Sequence, residues 1–225
     1  MPEAFSTVLL HFSGAYREAS FCPKGAQVID FTALGGTALY CDPDAERQIR
    51  RSLASAPLRA IHWIDGGDYH YVSRFWLERV SVPFDLVLFD HHPDDQPSAF
   101  GGSLLSCGSW VSGLQERLPL LRQIHWVSAY REEGLPLGGL PVYLSIDKDV
   151  LCPDDARTNW DQGTMRLREL EEMVRGIAAR CEILGIDVCG EKSAAQGACG
   201  KDVEINRRTN EELQAFFVTL HANNQ

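Results

Sequence analysis

Short apolar runs recur along the chain at 7–12, 28–31, 61–64, 84–89, 124–127, 142–146 and 183–188, with longer mixed segments between them. Several are rich in Val and Ile and do not alternate with polar residues, the pattern of parallel strands covered on both faces. Helices are expected in the intervening segments, at 44–53, 71–80, 109–117, 167–180 and 210–221. The clearest is 167–180, where Leu167, Leu170, Met173, Val174 and Ile177 recur at helical spacing. This alternation over 225 residues predicts one α/β domain, 1–225, built as a three-layer α/β/α sandwich with a mainly parallel central sheet. The Gly- and Pro-containing stretch 134–141 reads as a loop, and no repeat or linker breaks the series.

Two of the runs end in reactive side chains. The run 84–89 closes in Phe89-Asp90-His91-His92-Pro93-Asp94, and 142–146 closes in Ser145-Ile146-Asp147-Lys148-Asp149. In extended backbone Asp90, His92 and Asp94 share one face, and so do Asp147 and Asp149, while His91 and Lys148 turn away. Ligands of open α/β sheets bind outside the carboxyl ends of the strands, where both strings lie. If the two strands are neighbours, four carboxylates and an imidazole converge at the edge of an apolar core. Two like charges about 4 Å apart at an effective dielectric near 20 repel by roughly 4 kcal/mol. Protons or cations must relieve that repulsion, and two divalent ions match four carboxylates in charge. Oxygen ligands with a minority of imidazole favour Mn²⁺ first, then Mg²⁺, Zn²⁺ or Fe²⁺.

Charge and cysteine usage narrow the setting. The formal charge is −10 and no long Lys/Arg block is present, which argues against nucleic acid and anionic membranes as partners and leaves a small-molecule substrate. The apolar runs are strand-sized, well short of the roughly 20 residues of a membrane span. Met1-Pro2-Glu3 lacks the basic start of a secretory signal, so the expected compartment is the cytoplasm. The seven cysteines are scattered, form no Cys-x-x-Cys pair and read as reduced thiols. Cys107, Cys189 and Cys199 read as ordinary loop residues. Trp110 and Trp160 follow loops near the acidic strings and are candidate pocket walls, and Asp95 and Gln96 are either substrate contacts or a solvated turn. A homo-oligomer is compatible with all of this.

The two strings, in this order, resemble those of the arginase and agmatinase ureohydrolases, which carry D-A-H-x-D, then S-x-D-x-D, with G-G-D-H upstream. Here the upstream element is Gly66-Gly67-Asp68-Tyr69-His70, and Asp161-Gln162-Gly163-Thr164-Met165 resembles the Gly-Thr turn that follows the second string in that family. The resemblance covers residues 60–165 and implies an arginase/deacetylase-like fold with a binuclear Mn²⁺ centre. It implies that Asp90 and Asp147 bridge the two metals, with His70 and Asp94 completing one coordination sphere and His92 and Asp149 the other. A hydroxide bridging the ions would attack a guanidino, amidino or amide C–N centre, with Asp94 or Glu191 as the catalytic carboxylate that moves the proton. Three departures stand out. Tyr69 occupies the place of the family's first histidine, with His70 one residue later. The loop from Leu105 to Trp110 has no histidine, and the acid that holds a guanidinium group is displaced by one residue, to Glu191. Arginine itself is therefore not the expected substrate. The alternatives are a single-metal, deacetylase-like enzyme and a non-catalytic metal-binding protein of the same fold.

Overall fold

In the computed structural model, which describes residues 5–98 and 104–220, all seven apolar runs form strands of one sheet. The strands are β1 (Ser6–His11), β2 (Gln27–Asp30), β4 (Ala60–Trp63), β5 (Phe84–Phe89), β7 (Leu121–Val127), β8 (Val142–Asp147) and β9 (Ile183–Cys189). Their order is β2-β1-β4-β9-β8-β5-β7 and every pairing is parallel. Residues of β4, β5 and β8 are buried throughout, whereas the edge strands β2 and β7 carry exposed residues. Burial on both faces is why the central runs lack alternation. A second, two-stranded antiparallel sheet joins β3 (Tyr40–Cys41) to β6 (Leu105–Ser106), elements too short to leave a periodic signal.

Successive residues of a strand feed opposite cores. Leu9, Val87, Phe89, Leu144 and Val188 pack on one face, with Leu170 and Val174 of α5 (Leu167–Ala178) and Leu213 and Phe217 of α6 (Gly200–Thr219). Val8, Leu10, Leu86 and Leu88 pack on the other, with Ile49 of α2 (Pro43–Leu53) and Trp76 of α3 (Val72–Leu77). This is the expected three-layer arrangement. The remaining helices, α1 (Ala15–Glu18) and α4 (Leu114–Arg117), are single turns.

Two helices differ from expectation. The helix expected at 109–117 is reduced to α4, because Gly113 stands in the left-handed region with φ 63° and interrupts it. The C-terminal helix starts at Gly200, ten residues before the expected 210, and residue 221 lies outside the described residues. Its first half buries polar groups where an amphipathic stripe would show apolar ones. Asn206 bonds to both backbone groups of Arg157, Thr209 to the carbonyl of Asp155, and Asn210 to Lys148 and Glu191.

Candidate metal centre

Strands β5 and β8 are neighbours, with Phe89 paired to Ile146, so the two acidic strings start side by side. Asp147 is the last residue of β8, and the chain then enters a 3-10 turn, Lys148–Val150, capped by the bond from the Asp149 amide to Asp147 Oδ1 at 2.9 Å. The turn leaves both carboxylates on the same side and sends Lys148 inward. His70 arrives from β4 through another 3-10 turn, Gly67–Tyr69. That turn absorbs the extra residue between Asp68 and His70. Gly67 is required there, since a Cβ would meet Asp147 Oδ2 at 2.9 Å.

These elements bring together the six sequence-predicted metal-site residues. Nδ1 of His70 lies 3.2 Å from Asp90 Oδ2, 3.1 Å from Asp94 Oδ2 and 3.7 Å from Asp147 Oδ2. Nδ1 of His92 lies 2.9 Å from Asp149 Oδ2 and 4.0 Å from Asp90 Oδ1. The donors form one group of His70, Asp90 and Asp94 and another of Asp90, His92 and Asp149, so Asp90 belongs to both. Asp94 sits in the left-handed region, φ 48°, which few non-glycine residues adopt. The indole of the buried Trp110 donates to its Oδ2 at 2.8 Å.

The fit of this cluster to cations can be tested on its own hydrogen bonds. Ser145 Oγ donates to Asp187 Oδ1 at 2.7 Å and lies 2.9 Å from His70 Nε2. A serine hydroxyl has one proton, so with that proton on Asp187 its oxygen accepts from His70 Nε2–H. The Nδ1 lone pair then faces the carboxylates, the arrangement in which metal-ligating histidines are oriented by a second hydrogen bond. Both His70 Nδ1 and Asp90 Oδ2 are buried without a directed hydrogen bond. Such orphaned groups are costly unless something binds them. The residues fit a dication bound among them.

Without one, protons carry the compensation. Burial, reinforced by the charges of Asp149 and Asp94, pushes Asp90 well above the carboxylate range. Burial followed by the charge of Asp149 pushes Asp147 up to about 7. For His70, burial opposes the charged form but is outweighed by Cys189 and by the approach of Asp90 and Asp94, so its pKa is raised. Each of these groups holds its proton to higher pH when folded than when unfolded. The folded state then binds more protons, and stability falls as pH rises. We therefore expect the metal-free protein to lose stability from about pH 4, the unfolded carboxylate value, to about 7. Metal binding requires the deprotonated groups, so the increase in Tm on adding Mn²⁺ should grow over the same window. Thermal melts of chelator-treated and Mn²⁺-loaded protein check this; a metal-free Tm that rises through the window would contradict it.

The cluster forms the floor of an open cavity of 510 Å³. Asp90, His92, Asp94, Asp147 and Asp149 line it, with Tyr40, Gln96, Cys107 and Trp160 among its walls. Asp68 receives Trp160 Nε1 at 3.1 Å, Asn159 Nδ2 at 3.0 Å and Gln196 Nε2 at 2.9 Å, which ties that wall to the glycine element. Gln96 is at the cavity and Asp95 is not among its lining residues. His91 is turned from the cluster, though its amide donates to Asp149 Oδ1 at 2.9 Å.

Glu191, the other carboxylate expected to move a proton, is not among the residues that line the cavity. Its carboxylate is buried away from the cavity, ion-paired to Lys148 Nζ and receiving Asn210 Nδ2 at 2.7 Å. Gly190 occupies the neighbouring position at φ +97°, where a Cβ would lie 2.5 Å from Asp147 Oδ1, so no side chain at that point can reach the cavity. Cys189 is also corrected. It is not a loop residue but the buried end of β9, bonded to Asp147. The supporting residues Ser145, Asp68 and Asp187 carried no signal of their own in the sequence, although Ser145 and Asp68 lie inside the quoted motifs; of the two expected pocket walls Trp160 lines the cavity, whereas Trp110 is buried and holds Asp94 from behind.

Comparison with known proteins agrees with this fold. No family model matches the chain. An uncharacterized protein of Thermotoga maritima is 30% identical over 197 residues, 81% of this chain and 78% of that one. Among solved structures, an arginase from Medicago truncatula superposes with a TM-score of 0.66 at 16% identity, over 98% of this chain and 89% of that one. A Trypanosoma cruzi formiminoglutamase solved with Mn²⁺ does so at 0.65 and 14% identity, over 98% and 95%. The chain therefore belongs to one family with the Thermotoga maritima protein, and it has the ureohydrolase fold shared by arginases and agmatinases, in strongly diverged sequence.

Proposed function

We propose that the protein is a metal-dependent hydrolase of a non-peptide C–N bond in a guanidino, amidino or amide compound of small size. The observation that carries this reading is the pair of donor groups sharing Asp90 on the floor of an open cavity. His70 and Asp94 would hold one cation, His92 and Asp149 the other, and Asp90 and Asp147 would serve both. Mn²⁺ suits this oxygen-rich set, with Zn²⁺, Mg²⁺ or Fe²⁺ as alternatives. Two cations held by these residues would supply Lewis acidity and make water nucleophilic at neutral pH. Asp94, open to the cavity and fixed by Trp110, is placed to take a proton from the attacking water and return it to the departing nitrogen. The described cavity lining includes Asp161 as well as the cluster carboxylates and contains no Lys or Arg, which favours cationic or neutral substrates. No described helix is long and apolar enough to cross a membrane, and the seven cysteines are unpaired, in keeping with a cytoplasmic enzyme.

The test couples metal analysis to turnover. Protein reconstituted with Mn²⁺ should bind two ions per chain and hydrolyse at least one member of a panel of guanidines, amidines, ureas and acylated amines. Asp90→Ala should retain neither ion firmly, whereas Asp149→Ala should keep one. A stoichiometry held at one in excess metal would replace this reading with the deacetylase-like one. Two ions bound without turnover of any panel member would favour a non-catalytic protein.

A further inference from the structure

One donor beside the cluster belongs to neither acidic string. Cys189 pairs with Asp147 in the register of β8 and β9 and is fully buried. Its Sγ lies 3.1 Å from Asp147 Oδ2. A sulfur of Cys189, a ring nitrogen of His70 and a carboxylate oxygen of Asp147 all lie within 4.8 Å of one another. The second observation is His70 itself. It is 1% exposed, its Nδ1 has no directed partner, and its other nitrogen is engaged by Ser145. The Nδ1 edge of the ring therefore faces Asp147 Oδ2, 3.7 Å away, the same oxygen that the sulfur touches. Immediately after Cys189 the backbone turns at Gly190, so sulfur is the side-chain atom that β9 offers to Asp147.

We propose that Cys189 Sγ is a ligand of the cation held by His70 and Asp147. This rests on the metal-centre reading above and sharpens it. One position becomes a mixed nitrogen, oxygen and sulfur site suited to Zn²⁺, Co²⁺ or Fe²⁺, beside an oxygen-rich position at Asp90, His92 and Asp149. Soft thiolate selects the former ions, while carboxylates alone suit Mg²⁺ or Mn²⁺. On binding, a sulfur lone pair forms the metal–sulfur bond as the S–H bond breaks, and the proton passes to solvent. No electron transfer is involved.

The experiment uses the full chain, freed of metal and titrated with Co²⁺. A thiolate-to-cobalt charge-transfer band in the near ultraviolet should grow to one equivalent. Cys189→Ser keeps a donor toward Asp147, and it should bind Co²⁺ without that band. The same variant should lose at least about tenfold in Zn²⁺ affinity and much less for Mn²⁺. X-ray absorption at the zinc edge of the unsubstituted protein gives an answer independent of any variant. It should show sulfur at about 2.3 Å among nitrogen and oxygen at about 2.0–2.2 Å. Bound Co²⁺ without the band, a band that survives Cys189→Ser, or a zinc shell of nitrogen and oxygen alone would each overturn thiolate ligation while leaving the metal centre standing. Failure to bind either ion would remove the metal centre, and this inference with it.

Discussion

Arginine is expected to release urea at no more than trace rates, even with the metal centre fully loaded. Three features act against it. The loop from Ser106 to Ser109 lines the cavity and offers no histidine to orient or protonate the substrate. Glu191 is held by Lys148 and Asn210 beneath the site, and Gly190 leaves no room for a carboxylate one residue earlier. The α-carboxylate of arginine would enter a cavity whose described lining has acidic residues and no basic one. Misplacing a substrate by about 1 Å costs on the order of a hundredfold, and losing a positioned proton-transfer group roughly a hundred- to ten-thousandfold. Together the loss should reach about ten-thousandfold against whichever panel compound turns over best. A urea assay with arginine at saturating Mn²⁺ checks this. Arginine hydrolysis within tenfold of the best substrate would show that other residues orient the amino acid.

Lys148→Ala should destabilise the protein by about 3–5 kcal/mol, the usual cost of removing one member of a buried ion pair. Lys148 has no exposed surface and Glu191 is 2% exposed, so the carboxylate left behind could not be rehydrated without unfolding its surroundings. Asn210 would remain as its hydrogen-bond donor but carries no charge. Lys148 also opens the turn that carries Asp149, so the variant should bind metal more weakly as well as melt earlier. Replacing Lys148 and Glu191 together by apolar residues of similar volume should recover much of the loss, because desolvation of the pair offsets most of its attraction. Urea unfolding of the single and double variants at one metal concentration measures both effects. A single-variant loss below about 1 kcal/mol would mean that the pair is solvated in a way its burial does not suggest.

The strand series and the acidic strings were readable in the chain because they are local. Val- and Ile-rich runs of strand length mark buried parallel strands whatever lies between them, and Asp90, His92, Asp94, Asp147 and Asp149 follow directly from two strand ends. His70 was readable only as a displaced motif residue; the 3-10 turn at Gly67–Tyr69 is what carries it to Asp90 and Asp94. The first ten residues of α6 carry no amphipathic stripe because Asn206 and Thr209 are buried there beside Ile205, and the burial of those polar groups depends on partners far away in the chain.

Glu191 and Cys189 show most clearly where residue order stops being informative. Both follow a core strand, and nothing local distinguishes a carboxylate that lines a cavity from one buried against Lys148, or a loop thiol from one seated on Asp147. Hydrophobic period and motif spacing depend on neighbours within a few residues, so they select the sheet, its layers and the acidic strand ends. The direction of a side chain at a strand terminus depends on contacts between β8, β9 and α6 that are made only when the sheet closes, and those contacts chose which donors face the cavity and which sustain its floor from beneath.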